Sequence, residues 1–542
     1  MAKSRPIERT SLASVSIPRS SSIVRPRSTS SGSGAWVDYI ITVGAVSALA
    51  LAFTSQSRSL LHWFVLPAVA CGILSGIDIV RWLRGRLDLF DPKTLIACLA
   101  FHGFFLAPLL HVLWDTFGVG DLVLYGDSRP WLGAMSCLNA AGFLGYQLAH
   151  NWTMGSTKAS PSRWEIRRKR FYPLFAIALA CSAMGIGAFL WQLQGISGLI
   201  QAYEENQTAF VGKGWLLVFA WPFAVLSFIV LVFAITDQRR KHRHHLTAGM
   251  LLLSVAGISH FLLLGWYGSR VATVSALFWM AGILHYRFRR FPAVMMAIGV
   301  GCLLVFAYFY GFYKERGRPG FEVLRAPALW LHPAGYQRDV KYLLLDDLAR
   351  VDSNALILHN LVKDQGDYQY RWGLTYAGAL TILIPRYFWE DRPYFRLDAG
   401  TEALWGKFSR PVSNRLYGLS GEALLNFGAF GVVPIFVLYG ALLGWYRRKL
   451  HSWGSTDARL FLAPFFTSMF VEALVCDSDV LVFFAVTQGA MACFFVFAAS
   501  DRAARKLGVP RASTLPATSM ATESSSFSPG LDLAPGIFDK SR

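Results

Sequence analysis

The chain has 542 residues, 54% of them hydrophobic and 16% charged, with a mean hydropathy of +0.39. Those values exclude a soluble globular domain and describe a polytopic membrane protein. A formal net charge of +19 would suit a nucleic-acid binder, but the basic residues are grouped by loop rather than by face, which excludes that class.

In chain order, residues 1–34 come first: they are rich in Ser and Arg and lack an apolar core, so they read as a disordered cytoplasmic arm rather than a cleavable signal. Crossing a hydrocarbon core of about 30 Å takes roughly 20 apolar residues. Such runs lie near 36–54, 60–80, 94–114, 131–150, 171–193, 214–236, 247–266, 270–286, 291–312, 421–446, 457–476 and 479–499. The predicted architecture is therefore all-α with about 12 transmembrane helices, nine within 35–312 and three within 421–500. A large outer loop occupies 313–420, and 501–542 form a second disordered cytoplasmic tail, rich in Ser, Thr, Pro and Ala from 508 onward.

Orientation follows from the charges. Every second loop is basic: Arg81, Arg84, Arg86 and Lys93; Arg163, Arg167, Arg168, Lys169 and Arg170; Arg239, Arg240, Lys241 and Arg243; Arg287, Arg289 and Arg290; Arg447, Arg448 and Lys449; and Arg502, Arg505 and Lys506. The positive-inside rule places these loops and both termini in the cytoplasm. The alternate loops hold Asp115, Asp121, Asp127, Glu204, Glu205, Asp477 and Asp479 and face outward. By the same parity 313–420 is outside, so its arginines are not explained by orientation. All seven cysteines fall within or at the ends of apolar runs, which indicates neither a disulfide framework nor a zinc site.

The outer loop is too long to be a bare connection. Apolar positions at helical spacing from Tyr342 to Leu361 predict a helix or helix pair over 341–363. The apolar run 372–385 is too short to cross the bilayer and reads as an interfacial or re-entrant helix stopped by Pro385, with the segment after it lining a cavity.

Several residues there suit chemistry on an anionic substrate. Arg270, after Gly268 and Ser269 at an outer span end, is either a snorkelling side chain or an anion ligand whose planar fork suits phosphate. Arg386 and Arg392 flank Tyr387, Phe388 and Trp389, which form either an interfacial anchor or a stacking platform for a sugar. Arg350 either pairs with Asp347 and Asp352 or serves as a further anion ligand. Glu422, at the outer entrance of a span, is a helix cap or a general base towards a hydroxyl, with Asp391 as the second candidate base. Asp477 and Asp479 read as a solvated turn or helix cap, with a metal role the weaker alternative. His242, His244 and His245 sit in a basic inner loop, and no P-loop, zinc-protease or catalytic Ser/His/Asp pattern occurs.

The run Ile384-Pro385-Arg386-Tyr387-Phe388-Trp389, the pair Arg392-Pro393, and Gly421-Glu422 with Asn426-Phe427-Gly428 opening a span resemble the oligosaccharide repeat unit polymerases, the Wzy or O-antigen polymerase group. The resemblance is carried by 384–440. Where family members show Trp-Pro-x-Lys-Pro, this chain has Trp389-Glu390-Asp391-Arg392-Pro393, keeping the charge and replacing one proline. The resemblance implies a bacterial inner-membrane glycosyltransferase of the C-type kind that lengthens a surface polysaccharide on the periplasmic side. It would move the growing chain from undecaprenyl pyrophosphate onto a new lipid-linked repeat unit, without nucleotide sugar, cofactor or metal. A chain-length regulator is a further candidate partner; nucleic acid is not.

On that reading Arg270 and Arg386 stabilise the leaving pyrophosphate, Arg350 and Arg392 support them, Glu422 or Asp391 removes the proton, and Trp389 and Tyr387 stack on sugar rings. The alternatives are an O-antigen ligase, with the same donor and another acceptor, and a lipid-linked oligosaccharide transporter or flippase.

Overall fold

Eight helices in the computed structural model are long and apolar enough to cross a membrane: Gly34–Gln56, Val65–Leu83, Pro92–Trp114, Arg168–Gln192, Trp215–Thr236, Val294–Tyr313, Ala429–Ser452 and Ser478–Ala498. The structure describes residues 33–117, 126–155, 163–204, 214–236, 270–287, 290–316, 322–326, 339–363, 368–384, 388–393, 395–406, 415–454 and 456–502, with 251, 254, 255, 258, 320, 329 and 330. The described chain is mostly helical, its strands being the short antiparallel pair Trp164–Ile166 and Ser500–Arg502.

Four expected spans are not among the eight. The run 131–150 lies in the helix Arg129–Gly155, long enough to cross but diluted by Asn139, Gln147 and His150. Residues 270–286 form Arg270–Arg287, which is 18 residues long and bounded by arginines. The run 457–476 is broken into the turn Ala458–Phe461 and the 10-residue helix Ala463–Glu472, about 15 Å long at helical rise. Most of 247–266 lies outside the described residues.

The expected span 421–446 also starts late. Gly428 adopts φ 65°, ψ −161° and separates the helix Gly418–Phe427 from Ala429–Ser452. Only glycine takes that backbone conformation cheaply. Glu422 therefore sits on a short helix of its own ahead of the spanning one.

Arg129–Gly155 and Ala429–Ser452 pack closely because Gly440 and Gly444, four residues apart, bring backbone against backbone. A Cβ on Gly440 would collide with the Tyr146 carbonyl, and one on Gly444 with Thr153 and the His150 backbone. Small residues at this spacing are how apolar helices associate when lipid is as apolar as their side chains. Pro92–Trp114 is helical throughout but widens at Phe101–Leu106, where the Ala107 N–H reaches back to the His102 carbonyl. Pro108 follows at once, and a wider turn relieves the clash of its ring with the preceding turn.

Ion pairs tie the helices together at one end. Asp38 meets Arg84 and Arg86 at 2.6 Å each, Arg447 holds Asp91 and lies 2.8 Å from His150, and His285 lies 2.8 Å from Asp88. At the other end, His102 hydrogen-bonds the Leu344 carbonyl at 2.8 Å, the Lys341 ammonium lies 5.7 Å from the Trp114 ring centre, and Trp131 meets His359 edge-on at 4.9 Å.

The long polar stretch is folded into that second end. Within it lie Val340–Asp347, Val351–Lys363, the short helix Leu374–Leu383 and Phe395–Trp405. Residues 351–358 are buried throughout, and Leu345, Ile357, Leu404, Tyr417 and Leu424 share one core with Phe105, Phe143 and Phe436 of the long helices. Burying such apolar faces, at roughly 25 cal/mol per Å², attaches the stretch to the bundle.

Candidate functional site

Where the two parts of the core meet, the chain buries a layer of polar side chains. Glu422, 3% exposed, lies at its centre. Its Oε2 accepts the Ser478 backbone N–H at 2.7 Å, and its Oε1 accepts the Ser478 hydroxyl and, at 2.6 Å, the Thr375 hydroxyl. These three donors are neutral, and Ser478 is the first residue of a spanning helix, whose N-terminal dipole favours a carboxylate.

Asn426, one turn after Glu422, completes the arrangement. Its Oδ1 accepts the N–H groups of Gly373 and Thr375 at 3.0 and 3.4 Å, satisfying the start of the Leu374–Leu383 helix. Its Nδ2 donates to Thr375 Oγ1 at 2.6 Å and to the Glu422 carbonyl at 2.8 Å.

Beside this lies a group of ion pairs. Asp477 is fully buried: one oxygen accepts the N–H groups of Tyr417 and Gly418 at 2.9 and 2.7 Å, and the other lies 3.0 Å from Arg396. Arg396 also binds Asp479 at 2.9 Å and donates to the Arg415 carbonyl at 2.8 Å. Arg415 in turn holds Asp346 at 2.9 Å and Asp352. Arg350 turns Nη1 to the carbonyls of Asp346 and Ala349, and its buried Nε has no hydrogen-bond partner among the described residues.

Burial pushes Glu422 above the ordinary carboxylate range; the Ser478 and Thr375 hydrogen bonds oppose it, and neighbouring Asp479 adds to it. Burial raises Asp477 as well, against the Arg396 guanidinium, which pulls it back towards the charged form. Burial works to lower Arg396 and Arg415, but their paired carboxylates outweigh it and hold both above the usual arginine value. Arg350, which has no such partner among the described residues, is lowered by burial. The Tyr376 hydroxyl, buried and without a hydrogen-bond partner among the described residues, is raised by burial and by Glu422. The layer thus holds a carboxyl whose hydrogen-bond partners are all neutral, next to carboxylates already neutralised by arginine. Burial pushes the first towards its neutral form with no cation among the described residues to oppose it, while the arginines pull the second back towards the charged form.

The expected site residues fare unequally. Glu422 is in the buried layer, but it caps the helix at Ser478 rather than its own. Arg350 does not pair with Asp352, because Arg415, 63 residues away, takes that carboxylate. Asp477 is not a solvated turn; it and Asp479 are both engaged by Arg396. Arg392 donates from Nη1 to the carbonyls of Thr381 and Ile384, both at 2.9 Å, closing the C-terminal end of the Leu374–Leu383 helix. Trp389 and Asp391 are exposed on the turn that follows. Arg270 opens the helix Arg270–Arg287; its side chain, together with Arg386, Tyr387 and the histidines 242, 244 and 245, lies outside the described residues.

Sequence reasoning missed Arg396, Arg415, Thr375, Asn426 and Ser478. The arginines carried a signal, being basic residues on a segment that the charge pattern predicts to be outside. The hydroxyls carried none, since their role comes from partners 47 and 56 residues away. No family model matches the chain, and neither the curated proteins nor the solved structures give a match.

Proposed function

We propose that the chain is a bacterial inner-membrane glycosyltransferase that joins undecaprenyl-pyrophosphate-linked oligosaccharide repeat units on the periplasmic side. The observation that carries the proposal is the buried Glu422 carboxyl, held by neutral donors at the level where the outer stretch closes over the spanning helices. Together with the polymerase-like run 384–440, this supplies a base where a lipid-linked sugar at the bilayer surface would present its hydroxyl. The topology is part of the proposal: twelve spans, the basic end in the cytoplasm and the Glu422 layer outside.

In the reaction, the hydroxyl of the incoming repeat unit loses its proton to Glu422 as its oxygen bonds to the anomeric carbon of the growing chain. The bond from that carbon to the pyrophosphate oxygen breaks, and the electron pair leaves with the lipid pyrophosphate. That developing charge calls for preorganised cations. Arg270 and Arg386 take this role, Arg350 supports them through its Nε, which has no hydrogen-bond partner among the described residues, and Arg392 holds the Leu374–Leu383 helix in place. Trp389 and Tyr387 offer stacking surface.

The test is the glycan profile of cells lacking the chain. Single repeat units in place of long polymer are expected. Polymer retained on its carrier lipid would instead identify a ligase, and an unchanged profile would remove the enzyme reading.

A further inference from the structure

Hydrogen-bond directions in the buried layer are fixed by the groups that have no choice. Backbone N–H groups only donate, so Asn426 must turn Oδ1 towards Gly373 and Thr375. The Glu422 carbonyl only accepts, so Nδ2 must face it and, with it, Thr375 Oγ1. With its oxygen receiving that amide hydrogen, the Thr375 hydroxyl sends its single proton to Glu422 Oε1. Among the described residues, Oε1 is then occupied by two hydroxyls, while Oε2 receives only the Ser478 N–H and keeps a lone pair open.

We infer that Thr375, its proton aimed by Asn426, is a positioning residue that holds the Glu422 carboxylate in its ionised form and leaves Oε2 as the oxygen that takes the acceptor's proton. This rests on the reading of Glu422 as the base. Other charged and titratable groups face Glu422 from each side: Asp477 and Asp479 from the turn before the Ser478–Ala498 helix, and Tyr376 from the Leu374–Leu383 helix. Arg396 acts through Asp477, and Asp352 is neutralised by Arg415. Both aspartates disfavour a charged Glu422, Tyr376 stays protonated, and the Thr375 and Ser478 donors are what oppose the aspartates.

The experiment uses the full chain in proteoliposomes, with lipid-linked repeat units extracted from cells that lack it, and follows the initial rate of unit joining against pH. Thr375→Val removes the donor at nearly constant shape. Its acidic limb is expected to move up by about one pH unit, with the plateau at high pH retained within about threefold. Thr375→Ser is expected to restore the original limb. Ser478→Ala removes the other hydroxyl from the same oxygen and is expected to move the limb the same way.

An unmoved limb in Thr375→Val or Ser478→Ala, with Glu422→Gln inactive, overturns the inference and leaves Glu422 as the base. A loss in Thr375→Val that is equal at every pH also overturns it, because a missing donor to a carboxylate is compensated at higher pH. A Glu422→Gln variant as active as the wild type removes the underlying reading itself.

Discussion

Glu422 and Ser478 lie 56 residues apart and meet twice, the backbone N–H of Ser478 reaching one carboxylate oxygen and its hydroxyl the other. The carboxylate thereby caps the Ser478–Ala498 helix from a different helix, and the same group that favours the helix dipole is the proposed base. Glu422→Gln tests both roles at once. The amide keeps the volume but must turn an NH2 towards one of the two Ser478 donors, so stability is expected to fall by about 1 kcal/mol. The joining rate is expected to fall by about 10²–10⁴-fold, the range a lost general base accounts for. Rates in proteoliposomes and thermal midpoints in detergent check the two parts separately.

The pH dependence of the wild type follows from the same burial. A base works ionised, and burial pushes the Glu422 carboxyl up, so the rate should be lost as pH falls through a limb above the value of about 4.3 for a free glutamate. Asp391→Asn is expected to keep the rate within about threefold; a large loss in that variant with an unshifted limb would move the base to Asp391.

Arg415→Ala leaves Asp352, 1% exposed in its side chain, without its cation. Breaking a buried pair from one side costs about 3–5 kcal/mol, and the residual access of water to Asp346 places the expected loss towards the lower end. A thermal midpoint within a degree of the wild type would show that the pairs contribute nothing.

The apolar runs were legible because a span needs a minimum length of one composition, and eight of the twelve appear as helices fit to cross a membrane. The start of the span at Ala429 was not, since nothing in an apolar stretch announces that Gly428 takes a positive φ. Arg350 shows why the site was harder. Its nearest acids in sequence were the expected partners, yet burial pairs Asp352 with an arginine brought from 63 residues away. Local spacing governs helices, whereas ion pairs follow from tertiary packing. Glu422 stood out as a charge at the edge of an apolar run, while Thr375 and Ser478 are ordinary hydroxyls until the fold aims them at it.

The helix contact at Gly440 gives an independent check of the packing. Gly440→Val pushes a branched side chain into the Tyr146 carbonyl and is expected to cost about 1–3 kcal/mol or more in detergent. Gly299→Ala, where nothing lies within 4 Å of the added carbon, is the matched control and should leave the thermal midpoint unchanged.

The most direct measurement is the product ladder from the purified chain in proteoliposomes supplied only with undecaprenyl-pyrophosphate-linked repeat units, run beside Glu422→Gln. The wild type is expected to form dimers and longer products and release undecaprenyl pyrophosphate in equal number to the bonds made, while the variant leaves single units. Single units from the wild type under conditions where it remains folded, or equal ladders from both, would contradict the proposed polymerase and its base.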